Sequence, residues 1–380
     1  MSVKGFRDIE EKEASKRIAI RKIIENIFQL YNFQPVETPI IEYEKFVKGK
    51  NTGDDVISDV FKLKDKGKRK LALRYEFTFQ LQRLAKNKKL PYRRYQIGPV
   101  FRDEPVTGNR WRQFTQCDAD IIGSEVRDEA EILKLISEIF KKLKIKFTIN
   151  INNRRLLNEI LDEQGIKNKD KQAVIREIDK LDKLPLNEVK KNLKKYKADS
   201  LILVFKKPES FFKKYEAYSE ILELKKACNK FGVEVKFQAS LARGLSYYTG
   251  TVFEVKSSLK ETIAGGGSYL VNNQQATGIA FGLDRIELLT KIKDGKKSIL
   301  IISIGQDKKA IVLADKIRKK AIPVQIYYGK PSKGLEYANS YKIPYVIFLG
   351  KQEIKKKKLK LKDMKSGKEK LISEKQLKTL

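Results

Sequence analysis

The sequence predicts an α+β fold: an antiparallel sheet flanked by helices, interrupted by a helical segment and followed by a separate α/β unit. Three observations predict it. Strand-like runs in the first part of the chain follow one another as hairpins and do not alternate with helices. Charged helical sequence then fills 152–233. Beyond 298, strands and helices alternate, which is typical of a small, mostly parallel sheet.

The first elements are a long helix and a series of short strands. Apolar residues repeat at helical spacing over 9–32, and FQPVETPIIEY is extended because of its prolines. Hairpin-like strands follow over 60–74 and 92–122, with a turn at Gly67 in the first of them. A helix is predicted over 126–144, before the strand KFTINI.

Strand-like sequence returns at 234, after the charged helices. It continues past a predicted glycine loop at 265–267 to GIAFGLDRIELL, a strand that enters a helix. DGKK at 294–297 is the predicted linker to the second unit, which ends in a hairpin turning at Ser366. The predicted domains are therefore one domain of 1–151 and 234–293, a helical insertion of 152–233, and a C-terminal domain of 298–380.

The charge of the chain is strongly positive. Among 380 residues, 82 are Lys or Arg and 48 are Asp or Glu, which gives a formal net charge of +34. Such a field attracts polyanions, so nucleic acid is the leading partner. The last 30 residues alone hold twelve lysines and four acidic residues. A generally lysine-rich proteome, for example that of a heat-adapted cell, is the alternative explanation.

Composition also excludes several classes of protein. No apolar run reaches the roughly 18 residues that a membrane span needs, and the N-terminal sequence has no apolar signal core, so we expect a cytoplasmic protein without membrane contact. Two cysteines, Cys117 and Cys228, are too few for a disulfide framework. With no histidine in the chain, a structural metal site is not expected.

Three stretches carry chemistry. FRDEPVTGNRWRQFTQ, from Phe101 to Gln116, reads as strand, loop, strand with arginines and a glutamate at its mouth. Guanidinium groups suit phosphate oxygens and a carboxylate can accept a hydrogen bond from an exocyclic amine, so this hairpin could hold a nucleotide or could simply be solvated. The other two stretches place Arg243 before the tyrosine pair of LARGLSYYTG, and Arg285 at a helix start in GLDRIELL.

Together and in this order, these stretches resemble the signature of class II aminoacyl-tRNA synthetases. ARGLSYYTGTVFE is specifically similar to the histidyl-tRNA synthetase motif, and KGFRDI, ETPIIEY, LRYEFT, QCDADIIG and TIAGGG extend the resemblance along the whole chain. The resemblance implies a class II synthetase-like sheet, a C-terminal anticodon-binding-like domain and, through ETPIIEY, a homodimer.

The activity implied by this resemblance is that of a histidine–tRNA ligase, which uses L-histidine, ATP and Mg²⁺ and transfers the histidyl group to the 3′ end of tRNA(His). The alternative is a relative without catalysis, either a regulatory subunit of a histidine-biosynthetic enzyme or an RNA-sensing module. The presence of Arg102, Arg243 and Arg285, together with 298–380, favours the enzyme.

The resemblance also assigns residues to ATP. Arg102 would bind the α-phosphate, Glu104 the adenine amino group and Phe114 the adenine face, with Arg110 on the same hairpin. Arg285 would bind the γ-phosphate. Because the reacting carboxylate is already an anion, no general base is required, and the predicted catalytic residues are the three arginines Arg102, Arg243 and Arg285.

The histidine pocket is implied in the same way. Family contacts to the α-amino group match Glu76, Thr78 and Gln116, and contacts to the side chain match Asp120 and Tyr248; Arg243, Tyr247 and Tyr269 complete the set. In one place the chain departs from the family pattern. The family usually has Gly-Gly-Arg-Tyr-Asp, whereas residues 266–270 of this chain read GGSYL, with Ser268 in place of Arg and Leu270 in place of Asp. Because the chain has no histidine, we expect the site to work without a group that titrates near neutrality. The absence of histidine has two possible explanations: compositional drift, or a selected advantage in that synthesis of this protein does not consume histidyl-tRNA.

Overall fold

The computed structural model describes residues 2–49, 55–108, 110–182, 184–258, 262–292, 298–356, 358–373 and 376. The chain forms two compact units, Met1–Lys293 and Asp294–Leu380, and each is described by itself. The predicted linker at 294–297 lies outside the described residues. Within the described ranges, none of the helices combines the length and the apolar character that crossing a bilayer demands.

The helices of the first unit include a 3₁₀ helix at Glu209–Lys214 and the following α-helices: α1 (Glu11–Leu30), α2 (Glu44–Lys48), α3 (Asp55–Ser58), α4 (Leu81–Leu84), α5 (Val126–Lys142), α6 (Arg154–Glu163), α7 (Asn168–Asp179), α8 (Leu186–Lys194), α9 (Leu201–Val204), α10 (Tyr218–Lys230) and α11 (Leu283–Leu289). Helix α1 buries Ile20, Ile24 and Phe28 on one face, as its apolar spacing predicts. Helices α6 to α10 occupy the segment between two strands of the main sheet, and α10 packs against α5.

The strands of the first unit form two sheets. The strands are β1 (Gln34–Pro35), β2 (Ile41–Tyr43), β3 (Lys62–Lys64), β4 (Lys70–Leu73), β5 (Tyr92–Phe101), β6 (Gln113–Ile122), β7 (Thr148–Asn153), β8 (Lys236–Phe237), β9 (Tyr248–Lys256), β10 (Ala264–Val271) and β11 (Gln274–Gly282). The large sheet has the order β1-β5-β6-β11-β10-β9-β7-β8, and its central pairs are all antiparallel. The small sheet has the order β2-β4-β3.

One face of the large sheet is covered by helices and holds the main core. Side chains alternate along a strand, so Cys117, Ala119 and Ile121 of β6 enter the core with α1 and α5. The alternate residues Gln116, Asp118 and Asp120 therefore face the other side of the sheet, where they are nonetheless buried. The sequence prediction of an antiparallel sheet flanked by helices is confirmed.

The glycines at 265–267 are a correction to the sequence analysis, because they belong to strand β10 and not to a loop. Close packing within the sheet explains their lack of side chains. A Cβ on Gly266 would lie 2.0 Å from the carbonyl oxygen of Gly278, and one on Gly267 would lie 2.3 Å from that of Thr251. Glycine is needed here because the backbones of neighbouring strands approach each other closely. In the sequence alone, a run of glycines that serves this purpose looks the same as one that forms a turn.

The second unit is a five-stranded sheet with helices. Its elements are β12 (Ile299–Ser303), α12 (Asp307–Arg318), β13 (Val324–Tyr328), α13 (Pro331–Ser340), β14 (Tyr345–Leu349), α14 (Lys351–Lys355), β15 (Leu359–Asp363) and β16 (Glu369–Ile372). Strand β12 lies parallel to β13 and β14, and the predicted terminal hairpin β15–β16 adds two antiparallel strands. The outer strand β16 presents Lys370 to solvent, and Lys365 and Lys368 are exposed in the turn before it.

Candidate active site

The candidate site is built on the polar face of strands β5 and β6. Their hairpin register pairs Arg94 with Asp120 and Gly98 with Gln116. Because both members of a register pair point to the same face, the polar residues of the two strands meet there. The hairpin loop then carries Arg102 and Glu104 to the end of the same strands.

Asp120 lies at the buried end of this face. Its Oδ2 is 2.6 Å from Nη2 of Arg94, and its Oδ1 accepts a hydrogen bond from the hydroxyl of Tyr269. A Cβ on Gly278 would lie 2.0 Å from Oδ1, so the carboxylate occupies the space that this glycine leaves. Burial raises the pKa of Asp120, and Arg94 and the Tyr269 hydroxyl oppose that rise.

Asp118 and Gln116 continue the polar row toward the hairpin mouth. The Gln116 amide donates to Oδ1 of Asp118 at 2.9 Å. Burial raises the pKa of Asp118 well above its ordinary value, although Arg94 acts against it, while Asp120 and Glu76 raise it further. Arg94 is therefore the cation that serves two buried carboxyl groups.

Three tyrosines and Glu76 form with Asp120 a buried polar cluster, hereafter called the pocket. The rings of Tyr247 and Tyr248 lie 4.7 Å apart, and those of Tyr247 and Tyr269 lie 5.5 Å apart, measured between centroids. The Tyr247 hydroxyl donates to Oε2 of Glu76 at 3.5 Å. Burial raises the pKa of all three tyrosines, so each remains a neutral hydroxyl that can both donate and accept. Thr78 contributes a hydrogen bond to Tyr247.

The hairpin side of the site is rich in arginine and more exposed. The guanidinium of Arg102 lies 5.2 Å from the ring centre of Phe114, and its Nη2 is 3.5 Å from Oε1 of Gln116. Glu104 has Arg110 at 3.1 Å and Arg102 at 4.0 Å from its carboxylate oxygens. The side chains of Arg102 and Arg110 are 26% and 44% exposed, so both guanidinium groups are open to a ligand.

A third group joins Arg243 and Arg285. Nη1 of Arg243 lies 2.7 Å from Oε1 of Glu254, whose other oxygen accepts from the Thr262 hydroxyl at 2.9 Å. Arg285 donates to the carbonyl of Thr262 at 2.7 Å. Burial acts to lower the pKa of Arg243, but Tyr248, Glu254 and Asp179 outweigh burial and raise it, so its charge is fixed.

Ser268, which stands where the family pattern has arginine, lies next to Tyr269 in β10, and its side chain points to the opposite face of the sheet. The Ser268 hydroxyl donates to the buried carboxyl group of Glu129 on α5. Burial raises the pKa of Glu129 to about 7, and the hydrogen bonds from Ser268 and Thr251 only partly oppose this. The chain therefore does contain a group that titrates near neutrality, although it has no histidine.

The structure brings the predicted residues into three neighbouring groups. The first is the buried pocket group of Glu76, Thr78, Gln116, Asp120, Tyr247, Tyr248 and Tyr269, and the second is the hairpin group of Arg102, Glu104, Arg110 and Phe114. In the third group Arg243 contacts Glu254 and Arg285 contacts Thr262, and the hydrogen bond from Thr262 to Glu254 links the two arginines. Sequence reasoning missed Arg94, Asp118 and Glu254. Arg94 is recognised only from the strand register of the structure, which places it opposite Asp120.

This arrangement offers two kinds of chemistry side by side. The arginines can bind phosphate oxygens, and the pocket of carboxylates and hydroxyls can bind a polar side chain with its N–H groups. Over the described parts of the chain, no cluster of three or more Asp, Glu, Cys or His side chains could hold a metal ion. A metal in this site would therefore need ligands from a substrate.

Sequence comparison identifies relatives of both units. A sequence model of the family described as histidyl-tRNA synthetase matches residues 5–286, and one described as an anticodon binding domain matches 298–380. The chain is 32% identical to Histidine--tRNA ligase 2 of Shouchella clausii over 413 residues, with 97% of each chain covered. It is also 32% identical to Histidine--tRNA ligase of Wolinella succinogenes over 426 residues, covering 97% of this chain and 95% of the relative.

Solved structures share the fold. Histidyl-tRNA synthetase from Nostoc sp. PCC 7120 superimposes with a TM-score of 0.85 at 23% identity, covering 100% of this chain and 99% of the other. A Bacillus halodurans protein described as an ATP phosphoribosyltransferase regulatory subunit/histidyl-tRNA synthetase gives a TM-score of 0.77 at 21% identity over 90% of this chain and 96% of its own. At these identities the likeness establishes the architecture alone.

Proposed function

The chain belongs to the histidyl-tRNA synthetase family, and from this premise we propose how its own residues divide the work of a histidine–tRNA ligase. The enzyme activates histidine with ATP and transfers the histidyl group to tRNA. The regulatory alternative is not favoured, since full-length ligases are its relatives and an anticodon-binding unit is present.

Histidine occupies the buried pocket in this proposal. Asp120 accepts a hydrogen bond from an imidazole N–H, and the Tyr248 hydroxyl adapts to the other ring nitrogen. Glu76, Thr78 and Gln116 receive the α-ammonium group. The observation that supports this best is the ionisable carboxylate of Asp120 held at the end of a pocket of neutral tyrosine hydroxyls. An apolar side chain of the same shape would leave these buried groups unpaired and is rejected.

ATP occupies the hairpin side. Phe114 stacks on adenine, Glu104 accepts from its amino group, and Arg110 lies beside the phosphates. Arg102 binds the α-phosphate and Arg285 the γ-phosphate. A carboxylate oxygen of histidine attacks the α-phosphorus, the bond to the β-phosphate oxygen breaks, and pyrophosphate leaves. Arg243 stabilises the charge that develops on the α-phosphate oxygens, because its own charge is fixed by Glu254.

We propose that Glu254 would hold Mg²⁺ together with phosphate oxygens of ATP. Magnesium in nucleotide enzymes is commonly held by one or two carboxylates together with phosphate oxygens, so a three-carboxylate cage is not needed. Glu254 is buried beside Arg243 and accepts from Thr262, which also anchors Arg285. When bound, the ion would neutralise charge on the phosphates of ATP.

The remaining proposals concern partners. The lysines of the β15–β16 hairpin, among them Lys360, Lys365 and Lys370, bind the backbone of tRNA(His).

A second proposed partner is another copy of the chain. Ile41 and Tyr43 of the small sheet are 50% and 56% exposed, and this apolar surface joins two chains in a homodimer. The protein acts in the cytoplasm, where tRNA charging takes place.

Histidine-dependent exchange of labelled pyrophosphate into ATP by the purified chain tests the proposed function. We expect exchange with L-histidine and at least about a hundredfold less with phenylalanine, whose aromatic ring has no N–H to donate to Asp120. Exchange that is independent of the added amino acid would reject a ligase specific for histidine.

A further inference from the structure

We propose that Arg94 is a positioning residue of the histidine pocket, whose guanidinium holds Asp120 as the ionised acceptor for the substrate imidazole N–H. The inference rests on the proposed function, since it needs histidine to be the ligand of Asp120. It adds a residue that does not touch the substrate and that determines how well the pocket recognises an imidazole.

Arg94 lies directly beside Asp120, beneath the pocket. Its side chain is fully buried, with Nη2 2.6 Å from Oδ2 of Asp120 and 3.2 Å from the carbonyl oxygen of Phe77. The β5–β6 register places it directly opposite Asp120. The Tyr269 hydroxyl holds the other carboxylate oxygen, so Asp120 is fixed from two sides.

The charge balance requires a cation here. The charged and titratable groups that face Asp120 are Arg94 from β5, Asp118 from β6 and Tyr269 from β10, with Glu76 and Tyr248 beyond them. Burial raises the pKa of Asp120, and Arg94 is the first influence that lowers it. Without Arg94 the pKa of the Asp120 carboxyl group would rise further, and a protonated carboxyl group is a weaker hydrogen-bond acceptor than a carboxylate.

Stability alone does not account for this arginine. Its Nε and Nη1 have no hydrogen-bond partner among the described residues, although both are buried. A buried ion pair usually gives little net stability, and unpaired N–H groups make it costlier still. A residue kept only for packing would be better replaced by an apolar side chain, so the charge itself is the property that matters.

The test compares variants of two adjacent arginines. Arg94→Gln removes the charge, Arg94→Lys keeps it, and Arg93→Gln is the matched control, because Arg93 points to the other face and pairs with Asp128 at 2.9 Å and Glu131 at 2.7 Å. For each, kcat/KM for histidine and KM for ATP are measured by pyrophosphate exchange between about pH 6 and about pH 9. Dividing each variant's values by the wild-type values cancels the ionisation of free histidine.

We expect Arg94→Gln to lower kcat/KM for histidine at least about tenfold near pH 7, with the loss shrinking toward pH 9 as Asp120 ionises, while KM for ATP stays within about twofold. Arg94→Lys should lose less than about threefold at every pH, and Arg93→Gln nothing. A loss that is constant with pH, or an equal rise in KM for ATP, overturns the proposal.

If Arg94→Gln does not fold, Arg94→Lys decides alone: a loss of about tenfold or more near pH 7 overturns the proposal, and a small, pH-independent loss supports it. Failure of the proposed function is distinguishable, because it would appear as wild-type exchange that does not depend on histidine.

Discussion

The two sides of the site differ in how deeply their ion pairs are buried. On the hairpin side, Glu104 and Arg110 are 23% and 44% exposed, whereas Arg94 and Asp120 in the pocket are 0% and 5% exposed. Exposed pairs contribute about 0–1 kcal/mol and exchange partners readily, so the hairpin arginines can leave carboxylates for phosphates. A buried pair cannot be broken without leaving an unpaired charge, so the pocket is fixed before histidine arrives.

The largest effect is expected from breaking the buried pair. Asp120→Asn keeps the shape but removes the charge that Arg94 and the imidazole share, and kcat/KM for histidine should fall at least about a hundredfold, or about 2.7 kcal/mol. Pyrophosphate exchange at varied histidine and ATP measures it. Asp103→Asn is the control, since this carboxylate pairs with Arg112 at 3.0 Å on the exposed hairpin. Equal losses of kcat/KM for histidine in Asp120→Asn and Asp103→Asn would show that the buried and the exposed carboxylates do not differ in their importance for histidine recognition.

The buried carboxyl group behind the pocket gives the next effect. Glu129 has its pKa raised from 4.5 to about 7, so between these values the folded chain holds a proton that the unfolded chain releases. Stability should therefore fall as pH rises through this window. Glu129→Gln should remove that loss and stabilise the protein by about 2 kcal/mol at about pH 8, with little gain at about pH 5.

Denaturant unfolding of both proteins at the two pH values measures this difference, because titrations shared by variant and wild type cancel. A gain of equal size at both pH values would contradict the raised pKa of Glu129. Such a result would also mean that Ser268 and Thr251 satisfy the ionised carboxylate in full.

Arg243 belongs to the third group of the site, with Glu254 and Thr262, and its removal should have an intermediate effect. Arg243→Ala should slow adenylate formation at least about tenfold, or about 1.4 kcal/mol in the barrier, with little change in tRNA binding. Single-turnover measurement of adenylate with histidine and ATP in excess tests it, and a tRNA binding assay is the control. Wild-type kinetics would remove Arg243 from the mechanism.

The sequence predicted the elements well and the buried partners poorly. Alternation along β6 and the hairpin motif place Gln116, Asp120 and Arg102 on one face without any structure. Arg93 and Arg94 are adjacent and identical in type, and which one faces the pocket follows only from the strand register. Glu129 reaches Ser268 from a helix 139 residues away, and no local pattern encodes that contact.

The smallest effect is expected on the exposed side, and it decides whether the hairpin pairs are as exchangeable as their exposure indicates. Arg110→Gln removes a guanidinium that lies 3.1 Å from Glu104, and because the pair is solvated the KM for ATP should rise only about threefold, or about 0.6 kcal/mol. The effect should nearly vanish when the ionic strength is raised from about 0.05 M to about 0.5 M, since screening weakens exposed charges most. Initial-rate exchange kinetics at varied ATP and the two salt concentrations provide the measurement, with KM for histidine as the internal control.

A rise in KM for ATP above about tenfold that persists in high salt would mean that Arg110 makes a desolvated contact with the nucleotide. The hairpin would then close over ATP and become as buried as the pocket, and the contrast between the two sides would hold only for the free enzyme.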